Sequence, residues 1–333
     1  MIKKVIFLFL FVTISITLIA QNDSTSNPIL QGKVFGRIFA NFYTGLGKDN
    51  QSSAFELRRA YFGYNMPINN EFSAEVKLDI GSPNDISEYS RIRRYAYFKT
   101  AAVYYLNKNW YVKMGIFDID HFMLQETIWN HRYIYKSFQD EHRFGDKADL
   151  GVSVHYHFTN SVSADITIIN GEGYTNIQSD NAFKTGLGVT FNPLQNWVIR
   201  AFADYMERSE KQSTLSFFTG YTKKPILAGV EYNYKFNKDY YLDHDQTGIS
   251  AYLSYQINQN FELFGRYDLL RSNIMPEDTN PWNIGDDGSA IISGVQFQPV
   301  KGIKFALNYQ DWYPYASNLQ DESFIFINLE ARF

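Results

Sequence analysis

The sequence predicts an all-β fold, a transmembrane antiparallel β-barrel of about sixteen strands. Three observations carry this reading. The chain ends in a strand-like segment, Phe324 to Phe333, with Ile325, Ile327, Leu329, Ala331 and Phe333 on one face and Asn328, Glu330 and Arg332 on the other. The same period of two recurs along the whole chain beyond Pro28. Short polar turns alternate with longer polar connections, as in barrels whose turns lie on one side of a membrane and whose loops lie on the other.

The N-terminus supports export. Lys3 and Lys4 are the only charges in the first twenty residues, Val5 to Ile19 is almost unbroken apolar sequence, and Ala20 follows. This order reads as a signal peptide over residues 1–20, with a mature barrel over 21–333. The alternative is an N-terminal anchor, for which the run is short against the roughly 20 apolar residues of a spanning helix. Mean hydropathy is only −0.32, yet 17% of the chain is aromatic. A barrel reconciles the two, because inward polar residues dilute the apolar outer face. The 31 Lys and Arg, two of them in the leader, face 35 Asp and Glu, which argues against a nucleic-acid partner. The absence of cysteine suits an exported sheet held by hydrogen bonds rather than disulfides.

The strands follow in order from their alternation. Ala74, Val76, Leu78 and Ile80 alternate with Glu75, Lys77 and Asp79. Trp110, Val112, Met114 and Ile116 alternate with Tyr111, Lys113 and Gly115. Leu150 to Phe158, Ala228 to Phe236 and Ile303 to Tyr309 repeat the pattern. Turns are expected at Pro67–Asn70, Asn107–Asn109, Thr159–Asn160, Leu194–Asn196, Asn258–Asn260 and Val300–Gly302. Phe72, Trp110, Trp197 and Phe261 beside them suit an aromatic girdle. Long connections are expected at Gly45–Ser52, Gly81–Arg93, Asp118–Lys147, Gly171–Asp180, Arg271–Asp286 and Pro314–Glu322. Both termini on the turn side require an even strand number, and reading Ser213–Tyr221 as its own strand, with a turn at Thr222–Pro225, gives about sixteen. Fourteen or eighteen also fit, because the strands near Ser213 and Arg94 are weakly marked.

Asp118–Lys147 is the longest connection, and loops beyond about 15 residues are usually functional. Its middle, Met123 to Lys136, is rich in aromatic and apolar side chains. It is expected to fold inward and narrow the lumen; the alternative is an outward loop touching lipopolysaccharide or a neighbouring subunit.

With these elements in place, the chain resembles the phosphate-selective porin family. Phe55-Glu56-Leu57-Arg58-Arg59-Ala60-Tyr61 is similar to that family's double-arginine strand. Ala148-Asp149-Leu150-Gly151 and Asn170-Gly171-Glu172-Gly173-Tyr174 resemble two further signatures. The resemblance implies a homotrimeric diffusion channel of the bacterial outer membrane, not an enzyme, with no cofactor. It also implies partners in lipid, lipopolysaccharide and, through the strand ending at Phe333, the barrel-assembly machinery. Phosphate selectivity through an arginine ladder and a lysine cluster would follow in some members. A structural, adhesive or secretion-linked barrel without an open pore is the alternative.

Alternation places Arg59, Lys77, Lys99, Lys113 and Arg200 on the inner wall. Arg132 and Lys136 lie in the long loop, and together these seven are the candidate pore-lining residues. Within Arg58-Arg59, alternation favours Arg59 as the inward residue. Inward acids, including Glu75, Asp79, Asp165, Asp204, Glu231, Glu262, Asp268 and Glu330, balance the bases, so a cationic eyelet would have to be assembled locally from Arg59, Lys113, Arg132 and Lys136. His155 and His157, two apart on one face, read as lumen wall rather than metal ligands. Asp243-His244-Asp245 and Asp286-Asp287 offer too few ligands for Ca²⁺. No nucleophile–base arrangement or phosphate-binding glycine loop is recognisable.

Overall fold

The computed structural model describes residues 31–47, 52–80 and 96–333. The expected leader and the Gly81–Arg93 connection lie outside the described residues, as do residues 48–51. The strands are β1 (Lys33–Gly45), β2 (Ser53–Pro67), β3 (Phe72–Ile80), β4 (Ala96–Asn107), β5 (Trp110–Asp118), β6 (Ala148–His157), β7 (Val162–Ile169) and β8 (Lys184–Phe191). They continue as β9 (Trp197–Glu207), β10 (Lys211–Tyr221), β11 (Ile226–Phe236), β12 (Gln246–Gln256), β13 (Phe261–Ser272), β14 (Gly288–Val300), β15 (Ile303–Pro314) and β16 (Glu322–Arg332). Each pairs antiparallel with its sequence neighbours, and β1 closes on β16, giving a sixteen-strand barrel. The weakly marked strand near Ser213 is β10, and the turn expected at Thr222–Pro225 joins it to β11. At the seam the Phe333 amide donates to the Gly36 carbonyl at 3.1 Å, and the Gly36 amide donates to the Phe333 carbonyl at 2.9 Å. The last residue is therefore part of the closing ladder.

Alternation sorts the two faces. On β9, Ile199 and Tyr205 are exposed, whereas Arg200, Phe202, Asp204 and Met206 are buried. On β11, Val230 and Tyr232 are exposed, whereas Glu231, Asn233 and Lys235 are buried. Apolar side chains outside and polar ones inside are the reverse of a water-soluble core, and the arrangement expected of a wall whose outer solvent is lipid.

Among the described strands the register shifts at three places, β14–β15 included, and two of them bear on the site. The β1–β2 register shifts between Phe39 and Ala40, which leaves Arg58 as an extra residue between Arg59 and Leu57. The β3–β4 register shifts between Lys77 and Leu78, which does the same for Lys99. A β-bulge turns consecutive side chains toward one face. Arg58 and Arg59 accordingly both reach partners on the polar side, and Lys99 and Thr100 are both buried. Strict alternation would have given one of each pair.

The connection between β5 and β6 carries helices α1 (Met123–Trp129) and α2 (Phe138–Glu141). Ile128, Trp129, Tyr133, Ile134, Phe138 and Phe144 are buried, several of them against residues on the polar faces of β9–β15. Four successive carbonyls, Tyr133 to Lys136, each receive a side-chain donor. Asn328 donates to Tyr133, Arg58 and Gln310 to Ile134, Trp129 to Tyr135, and Arg266 to Lys136, at 2.6–3.3 Å. Tyr252 Oη donates to the Gln125 carbonyl at 2.9 Å, and Tyr133 Oη to Gln296 Oε1 at 3.0 Å. Two glycines leave hollows for this segment. A Cβ on Gly220 would lie 2.5 Å from Ile128 Cδ1, and one on Gly248 would lie 2.2 Å from Phe138 Cε1.

Replacing Gly248 by leucine therefore drives a side chain into the space held by Phe138 and Phe144. The expected cost is about 1–3 kcal/mol, falling on the docking of the connection rather than on the hydrogen-bonded wall. Limited proteolysis should cut within residues 119–147 faster in G248L than in the parent, with barrel content by circular dichroism unchanged. Equal cutting rates would show that the hollow does not hold the segment.

Candidate functional site

Two cavities lie between the long connection and the polar face of the wall. The first, about 550 Å³, is lined by Phe35, Arg37 and Tyr61 of β1–β2, Glu75, Lys77, Lys99 and Asp118 of β3–β5, and Met123, Glu126, Arg132 and Lys147 of the connection, with Arg332 and Phe333 at its edge. The second, about 410 Å³, is lined by Arg59, Arg132, Asp140, Arg143, Asp146, Lys147, Glu172, Tyr174, Lys184, Arg208, Lys235, Asp239 and Tyr240. Arg132 and Lys147 border both cavities. The first reaches from the turn ends of β1 and β16 to the long-connection ends of β4 and β5, and the second lies at long-connection ends of β8–β11.

Cations outnumber carboxylates in each. The first has six Lys or Arg against three Glu or Asp side chains, and the second has seven against four. Several carboxylates are shared between cations, while Lys77 also meets Glu75 at 3.6 Å, and Asp79 and Asp180, outside the lining, pair with Arg59 and Arg208. Lys77 and Lys99 share Asp118 at 3.1 and 3.6 Å. Arg132 and Lys147 share Glu126 at 3.0 and 2.8 Å, and Arg132 also binds Asp140. Arg37, Lys304 and Arg332 all converge on Glu330, at 3.6, 3.8 and 2.6 Å. Each carboxylate compensates about one of the cations that approach it. Lys99 is 3% exposed, and its Nζ has no hydrogen-bond partner among the described residues; it stands 4.3 Å over the Tyr174 ring.

Within the connection the charge states are fixed by neighbours. Burial works to lower the Arg132 pKa, but Asp140 and Glu126 hold it well above its ordinary value. Burial works to raise the Asp140 pKa, and Arg132 brings it below the usual carboxylate range. Asp120 is held down to about 2 against its own burial by His155 and Lys113. Burial lowers His121, beside Lys184, Arg200 and Lys235, well below the ordinary imidazole value. It lowers His142 to about 4. His121 stacks on Phe202 at 3.9 Å, and His142 lies 4.6 Å from Phe138 and 5.4 Å from Trp312.

Four of the seven residues singled out from sequence, Arg59, Lys77, Lys99 and Arg132, line the cavities. Three do not. Lys113 is tied to Asp120 at 2.5 Å, Lys136 to Glu141 at 3.3 Å, and Arg200 is held by both oxygens of Asp165 at 2.7 and 3.0 Å. The local eyelet of Arg59, Lys113, Arg132 and Lys136 is thus not assembled as a unit. Lys147, Tyr174 and Arg58 were missed as site residues. Lys147 ends the long connection, where no period applies. Tyr174 comes in from the β7–β8 connection and donates to Asp79 at 2.9 Å, beside Arg59. Arg58 faces in through the bulge, which leaves no mark in the sequence pattern. His155 Nε2 lies 2.8 Å from Asp120, and Asp287 accepts from the Ser272 amide at 2.8 Å. No group of three potential metal ligands occurs among the described residues.

No protein-family model and no curated protein matches the chain. Solved structures do. An OmpF of Salmonella typhi, in complex with daunomycin, superposes with a TM-score of 0.70 at 10% identity, covering 91% of this chain and 98% of that one. The outer membrane channel DcaP of Acinetobacter baumannii gives 0.67 at 11% identity over 91% and 97%. The trimer form of OmpT, an outer membrane protein of Vibrio cholerae, gives 0.61 at 14% identity over 91% and 99%. The fold is that of these barrels.

The buried histidines make docking of the connection sensitive to acid. A His142 pKa held near 4 means the docked state keeps the ring neutral, while a released ring titrates near 6.5. Docking is at full strength above about pH 6.5, weakens as pH falls from there to about 4, and changes no further from this group below that. The full loss is on the order of 3 kcal/mol. Hydrogen exchange of the 119–147 amides, rate-corrected and compared between pH 7.5 and 4.5, should show weaker protection at acid pH and less weakening in H142F. Unchanged protection at pH 4.5 would remove His142 from this role.

Proposed function

We propose that this protein is a diffusion channel of the bacterial outer membrane for small hydrophilic solutes, narrowed by its long connection and preferring anions. The carrying observation is the pair of cavities that meet at Arg132 and Lys147 with shared, outnumbered carboxylates. The exposed apolar belt and the polar interior support a place in a lipid bilayer. The sixteen-strand closure, shared with a protein described as an outer membrane channel, supports the outer membrane.

The path follows from what the connection occupies. It packs against inward residues of β1, β2 and β9–β15, so solute passes through the space left between it and the wall, where the two cavities lie. In water a unit charge about 4 Å from an ion contributes roughly 1 kcal/mol. Walls that exclude part of that water focus the field further. A small surplus of cations therefore suffices to bias passage without binding any solute tightly, which a conducting pore requires. Phosphate belongs among the anions to be tried because of the family resemblance. A homotrimer, contact with lipopolysaccharide, and delivery by the assembly machinery through the strand ending at Phe333 complete the reading. The leader over residues 1–20 completes the export route.

Planar-bilayer recordings of the refolded protein test it. Ion-conducting steps with an anion-selective reversal potential in a salt gradient are expected. In R132A or K147A the anion-to-cation permeability ratio should fall roughly fivefold, the equivalent of about 1 kcal/mol. The absence of conductance would favour a closed structural barrel instead. A cation-selective potential in the parent would overturn the anion preference while leaving the channel.

A further inference from the structure

The two cavities differ in a way that charge alone does not explain. The second is bordered almost wholly by ionic and polar groups. The first adds an apolar side. Phe35 and Tyr61 stand on the polar face of β1–β2, and Met123 comes from the start of α1. Lys77, Lys99 and Arg132 border the same space, Lys77 from the β3 position paired with Gly63.

This apolar side is built into the wall. Gly63, on the inward face of β2, has no side chain, and a Cβ there would lie 2.4 Å from the Phe35 ring. The glycine thus leaves room for the Phe35 ring over β2. Tyr61 is fixed edge-on against Phe39, with ring centroids 6.0 Å apart at 88°. A filter for inorganic ions gains nothing from such rings, because a hydrated ion makes no favourable contact with them. A solute with an aromatic body and one carboxylate uses both sides at once. Its ring replaces water against Phe35, Tyr61 and the soft Met123 side chain. Its carboxylate meets Lys99, whose Nζ is buried and without a hydrogen-bond partner among the described residues. The volume of about 550 Å³ lies within the roughly 300–1,000 Å³ of small-molecule sites.

We propose that the first cavity is a subsite for aromatic monocarboxylates, with Phe35, Tyr61 and Met123 taking the ring and Lys77, Lys99 and Arg132 taking the carboxylate. The proposal rests on the anion-preferring channel proposed above.

The test compares four probes as blockers of ion current through the parent protein, each added to either chamber: benzoate, acetate, inorganic phosphate and the neutral benzamide. Benzoate is expected to interrupt the current at concentrations at least about tenfold below acetate or phosphate, the equivalent of one well-placed ring contact. Benzamide is expected to be no better than acetate. The benzoate advantage should disappear in F35A and persist in F191A, which removes a ring exposed on the outer belt. Benzoate no more effective than acetate overturns the subsite while leaving the anion channel intact, and this comparison needs no variant to fold. Benzamide equal to benzoate overturns the role of the cations. A cation-selective reversal potential in the parent overturns the channel's anion preference and the subsite with it.

Discussion

The side chain on which most else depends is Arg266. From β13 its Nε and Nη2 donate to the two oxygens of Asp268 at 2.8 and 2.6 Å, and its Nη1 donates to the Lys136 carbonyl at 2.6 Å. Its guanidinium also lies 5.1 and 5.3 Å from the rings of Trp129 and Tyr135. A buried guanidinium is tolerable only when charge and donors are both satisfied. Here the counter-ion comes from the wall and the remaining acceptor from the connection. The wall is thus electrostatically complete only with the connection in place, and the connection loses a capped carbonyl without the wall.

That dependence extends along the segment. A non-helical stretch such as Tyr133–Lys136 exposes its backbone carbonyls, and burying them unpaired would cost about 1–3 kcal/mol each. Strands β2, β13, β15 and β16, together with Trp129, supply one or more donors to every one of the four. Arg58 can contribute because the β2 bulge turns it inward beside Arg59. The same local device on β4 places Lys99 in the first cavity. Glycines at 220 and 248 do the complementary work of removing side chains where Ile128 and Phe138 must enter. Irregularities in an otherwise uniform sheet thus decide both where the connection sits and which cations remain beside it.

This explains what was legible in the sequence. Barrel closure, the side facing lipid and an even strand number near sixteen follow from a period of two and from parity, whereas the weak signals at Ser213 and Arg94 leave fourteen and eighteen open in the sequence. The site is legible only where it lies on regular strand. Lys77 was found because Glu75, Lys77 and Asp79 alternate cleanly; Lys99 was found although the bulge, not alternation, turns it in. Arg200 is on regular strand too, but it is tied up by Asp165 of β7, two strands away across Gly188 of β8, which no pattern within β9 reveals. Lys147 and Tyr174 reach the cavities from connections, where direction is set by packing rather than by period.

A chain with more acids than bases can still line its two cavities with more cations than carboxylates. Net charge is a property of the whole surface, whereas an ion in the lumen meets only the groups within about a Debye length, roughly 8 Å. There the acids are shared: one Asp118 serves two lysines, one Glu126 serves Arg132 and Lys147, and one Glu330 serves three cations. A carboxylate with two claimants leaves each cation with unfilled donor capacity toward the cavity, since an ammonium has three N–H donors and a guanidinium five. The groups that hold the wall together are therefore also the groups that line the cavities.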